Sequence, residues 1–401
     1  MPAQNVFNTG RRTASISDAN GNLLFACNGA TIIDRDLNPM PALTTATLNS
    51  TADKILIQQI PGSSRYYVFY TKQKFLYQSN TSSSLSYAIV DLSLNGGKGD
   101  VVEYNRLIDS VSSPAFTLVQ QDVSTAWLIT HRHRTGNFYA YKITSSGLAA
   151  TPVLSSVSSI ADPGQYMFWD MKTSFNGKMI AGASYYVETG IFALSRGLVE
   201  VFDFDDATGQ LRNKVRTLQR VAYFAPIQSL EFSPDNRLLY HLRGSSVYGL
   251  QPCGFASGDI TQFNLCYTDS VQFDRYKMSV ASDFQWCNPG VVWVDIQMGA
   301  DKRLHLPYNG INVSTISFPN RIGTYSSYAF TGYNLPVSNN GQKTTPDFSH
   351  YLMEKAVKNN IVYKGGCHPN PLTFSVTNDT INRIEWNFGD KVLRYNDPRR
   401  F

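Results

Sequence analysis

Leu230-Glu-Phe-Ser-Pro-Asp-Asn-Arg-Leu-Leu-Tyr240 is the stretch that decides the fold class. An apolar strand runs into a tight polar turn and returns as a strand of large apolar residues. Ser15-Ile-Ser-Asp-Ala-Asn-Gly-Asn-Leu-Leu-Phe25 has the same design. Thr173-Ser-Phe-Asn-Gly-Lys-Met-Ile-Ala-Gly182 is a third copy, and Gln297-Met-Gly-Ala-Asp-Lys-Arg-Leu-His-Leu306 a degenerate fourth. Asp, Asn and Gly tolerate positive φ, so they close hairpins whose twist matches the flanking strands. One such hairpin is commonplace. Several along one chain indicate a repeat architecture, and the leading all-β candidate is a β-propeller.

The rest of the chain has the same character. Short apolar runs recur between turn clusters, with almost no helical period. Lys54–Ile60, Tyr66–Tyr70, Leu85–Leu92, Phe116–Gln120, Ala126–His131, Asn137–Ile143, Met179–Ser184, Gly197–Phe204, Leu238–Leu242, Asp259–Leu265 and Val291–Gln297 read as strands. Strand after strand without intervening helices excludes a doubly wound α/β fold. Six blade-like units precede residue 325, and strands from both termini would close a seventh. The expectation is an all-β propeller of six to eight blades, seven favoured.

Composition fits stacked sheets with short turns. Of 401 residues, 42% are hydrophobic and 13% aromatic, while only 16% are charged, against roughly 25% in an average domain. The net charge of +5 is scattered. No basic stripe follows a helix, which argues against nucleic-acid binding. No apolar run reaches the length of a membrane span. Met1-Pro-Ala-Gln-Asn-Val-Phe7 lacks the basic and apolar regions of a signal peptide. Five cysteines are too few for a disulfide framework. Cys253 and Cys266 are the closest pair; a disulfide between them is one reading, two thiols packed in strands the other.

Composition shifts near residue 333. The expected domains are a propeller over 1–332, a linker over 333–346, and a third segment over 347–401 whose residues 347–358 form one short helix. In that segment Ile384-Glu-Trp-Asn-Phe-Gly-Asp390, preceded by Cys367 and Leu372-Thr-Phe-Ser-Val376, resembles the first half of a PKD domain. The resemblance implies a partial immunoglobulin-like β-sandwich, with Lys391 where the family has its second signature Gly. The upstream region is similar to the propeller-like N-terminal part of large Bacteroidetes surface proteins linked to gliding motility and type 9 secretion. The motifs that carry this are the 17–25 hairpin, Ala88-Ile-Val-Asp-Leu-Ser-Leu-Asn-Gly-Gly-Lys-Gly-Asp100, Ala126–His131 with Phe138–Lys142, Val201–Gly209, Leu230–Asp235 and Ile260–Leu265, in that order. An extracellular or outer-surface location is implied by this resemblance alone.

Local motifs for chemistry are sparse. His131-Arg-His-Arg134 places two histidines on one strand face, as one metal would need, but a strand end with solvated basic residues explains it as well. Asp203, Asp205 and Asp206 offer oxygen ligands for calcium, the one cofactor weighed; a strand followed by an Asx/Gly turn is the plainer explanation. Tyr66, Tyr67, Phe69, Tyr70, Phe75 and Tyr77 would stack on sugar if exposed, yet strand aromatics are usually core, and Trp127, Trp169 and Trp293 are read the same way. No nucleophile elbow, phosphate loop or His-Glu-x-x-His is present.

Three function classes remain. The main expectation is a non-enzymatic recognition or adhesion module that binds a protein or glycan through propeller loops. The alternative is a polysaccharide hydrolase or lyase, which requires carboxylates to converge at the ring axis. Asp170, Asp203, Asp235 and Asp295 are the acids to follow. A self-associating structural element of a surface adhesin is the third.

Overall fold

The computed structural model describes residues 13–50, 54–73, 83–158, 167–187, 195–221, 227–246, 255–282, 286–287, 295–299, 301–308 and 312–334, together with four short strands between 361 and 396. The chain divides into two compact units, Met1–Tyr351 and Leu352–Phe401. The expected short helix at 347–358 and most of the expected linker lie outside the described residues.

The first unit is built from antiparallel sheets that follow one another along the chain. Blade 1 is three-stranded, Ala14–Ser17, Leu23–Cys27 and Ile32–Asp34. An eight-stranded sheet follows, and it is two blades joined through one strand. Residues 100–109 of the 21-residue strand Asp100–Gln120 pair with Leu85–Asp91 of the strand Ser83–Asp91, completing blade 2 with Ile55–Gln59 and Arg65–Gln73. Residues 116–120 pair with Ala126–Arg132 and open blade 3, which continues through Asn137–Thr144 to Val153–Ser156. Blade 4 is Met167–Thr173, Met179–Val187, Ser195–Asp205 and Gln210–Val221. Blade 5 is Ile227–Phe232, Leu238–Ser246, Phe255–Asn264 and Met278–Ser282, and blade 6 is Gln297–Met298, Leu304–Tyr308, Asn312–Ile316 and Tyr328–Asn334. Successive up-and-down sheets of about four strands are blades of a propeller. The fold class is therefore as expected, with six blades among the described residues.

The blades stack because their strands are apolar on both faces. Ile55, Ile57, Tyr66, Val68 and Tyr70 of blade 2 pack against Ile16, Phe25, Cys27 and Ile32 of blade 1. The alternate residues Leu56, Tyr67 and Phe69 point the other way, onto Phe116, Leu118, Leu128 and Ile143 of blade 3. The far face of blade 3, with Val119, Trp127, Ile129 and Phe138, meets Phe168, Ile180, Leu198 and Phe202 of blade 4. The two-residue period of a strand thus divides each apolar run between two interfaces. Burying each such side chain is worth roughly 1.5–3 kcal/mol. Tyr66, Tyr67, Phe69, Tyr70 and Trp127 are core, as read from sequence. Phe75, Tyr77 and Trp293 lie outside the described residues, as does the side chain of Trp169.

The quoted hairpins join the first and second strands of their blades. Ser174 N donates to Met179 O at 2.9 Å while Met179 N donates to Ser174 Oγ at 2.8 Å. Ser233 and Leu238 repeat both bonds at 2.9 Å. The fourth turn residue has positive φ in every copy: Gly21, Gly177, Asn236 and Lys302. Lys302 explains why the last copy is degenerate, since a Lys is strained where Gly or Asn is at ease. Two further turns in the same place, residues 61–64 in blade 2 and 122–124 in blade 3, lack that signature. They are closed by Ile60 N to Arg65 O and Gln121 N to Thr125 O.

The second unit holds two antiparallel hairpins, Ile361–Lys364 with Thr373–Val376 and Ile384–Asn387 with Leu393–Asn396.

Candidate functional site

Inner strands of blades 4, 5 and 6 read Asp170-Met-Lys-Thr-Ser174, Ser229-Leu-Glu-Phe-Ser233 and Asp295-Ile-Gln-Met-Gly299. Asp170, Ser229 and Asp295 each stand four residues before the turn, at the same register. Lys172, Glu231 and Gln297 stand two residues before it. Alternation turns both sets to one side of their strands, and all six are buried.

The first layer closes on itself. Ser229 Oγ lies 2.5 Å from Asp295 Oδ1 and 3.0 Å from Asp170 Oδ2. Leu230 N donates to Asp170 Oδ2 at 3.0 Å, and Ile296 N to Asp295 Oδ1 at 3.0 Å. Lys54, which begins the inner strand of blade 2, donates from Nζ to Asp170 Oδ1 at 3.0 Å. Blade 3 separates blades 2 and 4 along the chain, so this bond joins two blades that are not neighbours in sequence. In the second layer Lys172 Nζ lies 3.7 Å from Glu231 Oε2, which also accepts from Met298 N at 3.2 Å.

The first layer joins two carboxyl groups through one hydroxyl. Ser229 has one hydroxyl proton and two carboxylate neighbours, so it serves one of them at a time. The ammonium of Lys54 offsets one negative charge where water is excluded and electrostatic interactions are strong.

Two of the four acids followed from sequence, Asp170 and Asp295, meet here. Asp203 is exposed and pairs with Lys214 at 3.1 Å. Asp235 sits in the 233–238 turn, accepting from Ser233 Oγ at 2.6 Å and pairing with Arg237. Lys54 and Ser229 were not anticipated. The Asp-x-Lys-x-Ser and Ser-x-Glu-x-Ser alternation before the turn was a usable signal for Ser229, Lys172 and Glu231. Lys54 has no such signal, because its partner is 116 residues away.

The acids weighed for calcium go separate ways. Asp203 bonds Lys214, Asp206 bonds Lys178 Nζ at 2.6 Å, and Asp205 closes its own turn. The Thr208 hydroxyl holds the Asp205 carboxyl below its ordinary range. Strand alternation followed by a tight turn points the three carboxylates apart. Among the described residues no three His, Cys, Asp or Glu side chains are grouped to hold a metal.

His131 and His133 are buried, not solvated. His131 Nδ1 lies 2.9 Å from Ser113 Oγ, and its ring meets Phe138 and Phe168 edge-on. Burial pushes its pKa down to about 3 and that of His133 to about 4. Of the two sequence readings, a metal pair or a solvated strand end, the second fits Arg132, which is exposed, but neither the histidines nor the half-buried Arg134. Cys266 is disulfide-bonded. Its expected partner Cys253 lies outside the described residues. Cys27 is a buried free thiol.

No family model matches the chain, and no curated protein does. Solved structures with similar folds include the hydrazine synthase of Kuenenia stuttgartiensis, 12% identical with a TM-score of 0.45, covering 82% of this chain and 87% of that one. A glucose dehydrogenase is 12% identical with a TM-score of 0.35, covering 74% and 93%. The periplasmic gluconolactonase PpgL of Pseudomonas aeruginosa is 11% identical with a TM-score of 0.36, covering 84% and 96%. Likenesses of this degree carry no argument about what the chain does. The propeller assignment rests on its strand order.

Proposed function

We propose that the first unit is a polysaccharide-acting propeller of hydrolase or lyase type, with Asp170 and Asp295 as its acid/base pair. The observation that supports this is the convergence of two carboxylates from blades 4 and 6 on a hydroxyl of blade 5, beside an ammonium from blade 2. Ser229 bridges the two carboxyl groups, and Lys54 pairs with Asp170. Both carboxylate oxygens touch one Oγ, at 3.0 and 2.5 Å. The test is turnover of a polysaccharide panel by the native chain and by Asp295→Asn.

A second reading has its own observation. Lys54, Asp170, Ser229 and Asp295 are each 2% exposed or less. Such burial suits a clasp that fixes the ring while surface loops recognise a glycan or protein. On this reading Asp295→Asn lowers the melting temperature, and no substrate is turned over. Placement outside the cell belongs to either reading. It is supported by the disulfide at Cys266, since such bonds persist in oxidising compartments. The second unit, with its two hairpins, fits the start of a PKD-like sandwich within the same surface protein.

A further inference from the structure

Among the described residues thirteen large apolar side chains are exposed, and six of them fall in two short stretches. Val271 and Tyr276 belong to an excursion between the third and fourth strands of blade 5, and Met278 opens the fourth. Phe318, Ile322 and Tyr325 belong to the loop before the last strand of blade 6. The stretches touch: a Cβ on Gly323 would stand 3.2 Å from Met278 Sδ. Scattered exposed apolar residues need no explanation, but two adjoining clusters mark a binding surface.

Both stretches are held rigidly from below. The excursion contains the helix Ser270–Arg275, capped by Asp269, whose carboxylate accepts from Val271 N and Gln272 N. Phe273 anchors it, stacked on Phe263 with ring centroids 4.7 Å apart. The blade 6 loop is fixed by buried polar groups of blade 5. Tyr240 OH donates to Pro319 O at 2.8 Å. Gln262 donates to Arg321 O and accepts from Gly323 N, both at 2.8 Å. Backbone pinned in this way while side chains face water is preorganised for a ligand, because little ordering entropy is left to lose on binding.

The exposed chemistry selects the ligand. Tyr267 and Tyr276 are stacked at 5.0 Å, Arg321 lies over Phe318 at 4.4 Å, and Tyr325 is 77% exposed. The negative face of an aromatic ring attracts the polarised C–H groups of a pyranose. Aromatic, Met and Arg side chains also occur at protein interfaces, but here cations interleave exposed rings, which suits a sugar chain that bears acid groups. Residues 266–278 and 318–325 carry Arg275, Lys277 and Arg321 against Asp269 and Asp274. Asp269 is engaged as the helix cap, and Asp274 pairs with Lys277. Arg275 and Arg321 remain to meet anionic groups.

We infer that the seam between blades 5 and 6 is a non-catalytic binding surface for an anionic polysaccharide, with Tyr276, Phe318 and Tyr325 as stacking platforms and Arg275 and Arg321 as carboxylate contacts. It binds whether or not the axial cluster catalyses. The test is gel retardation of the full chain in polygalacturonate, with hydroxyethylcellulose as the neutral control. The expected result is retardation by polygalacturonate that weakens with added salt. Tyr276→Ala/Tyr325→Ala, at exposed positions and with unchanged melting temperature, should bind at least tenfold more weakly. Arg321→Ala should lose most of the salt dependence. Absence of retardation in polygalacturonate, equal retardation in both polymers, or full binding by the double variant would overturn the inference. So would a concentration-dependent dimer that the double variant abolishes, since the face would then meet a second copy of the chain.

Discussion

Removing the charge of Asp170 should be the most damaging conservative change in the first unit. Asp170→Asn keeps the shape of the side chain. It leaves the ammonium of Lys54, 2% exposed and 3.0 Å away, facing a neutral amide. The new amide group also presents a donor where Leu230 N or Ser229 Oγ now donates. Breaking a buried ion pair by removing one partner costs about 3–5 kcal/mol. With an unfolding entropy of about 2.1 cal/mol/K per residue, a unit of this size should melt roughly 4–7 °C lower. The companion variant Lys54→Met/Asp170→Leu replaces both charges and should recover most of that loss, because a well-packed apolar pair avoids desolvating two ions. Asp203→Asn is the control. Its pair with Lys214 is exposed, and such pairs contribute about 0–1 kcal/mol. Calorimetry on the three variants, with circular dichroism to verify the native fold, reads the order directly. Asp170→Asn melting with Asp203→Asn would show that the axial bonds do not hold the ring, and the reasoning would fail.

Three further outcomes follow from the packing. Burial holds His131 at a pKa of about 3, below its unfolded value, so its stability contribution is complete above about pH 6.5 and is lost as pH falls toward 3; His131→Phe should flatten the acid limb of the pH–stability curve by an amount on the order of 5 kcal/mol, and an unchanged limb would refute this. Gly209 has φ +78°, and an added Cβ would stand 2.5 Å from the Trp127 ring, so Gly209→Ala should cost about 2 kcal/mol or more in denaturant titration. Lys302→Gly should raise stability by about 0.5–1 kcal/mol, because it relieves a left-handed residue in the last hairpin; a loss of stability there would contradict the strain argument.

Hairpins were legible in the sequence wherever the turn needed a special residue. Asp18 to Gly21, Asn176-Gly177 and Asp235-Asn236 announce positive φ, and each closes the first two strands of its blade. The turns at 61–64 and 122–124 were missed because they reach the same position without the Ser-x-Asx signature. The helix Ser270–Arg275 was missed because six residues cannot display a helical period; its N-cap, Asp269, was the only local sign. Burial of His131 was unreadable, since it depends on Phe168 of the next blade. Asp170 and Asp295 could be flagged as strand acids, but their meeting is a property of the ring. Nothing near Lys54 in sequence points to Asp170, and only closure of the inner strands around an axis brings them within bonding distance.

The measurement closest to the central proposal is turnover of a polysaccharide panel, read as reducing ends and as unsaturated product, for the native chain and for Asp295→Asn. General acid–base groups contribute roughly 10²–10⁴-fold in rate. The expected result is turnover by the native chain and a loss of at least about a hundredfold in Asp295→Asn, at a temperature where both remain folded. No turnover by the native chain on any polysaccharide, or full activity in Asp295→Asn, would contradict it and leave the axial cluster as a clasp.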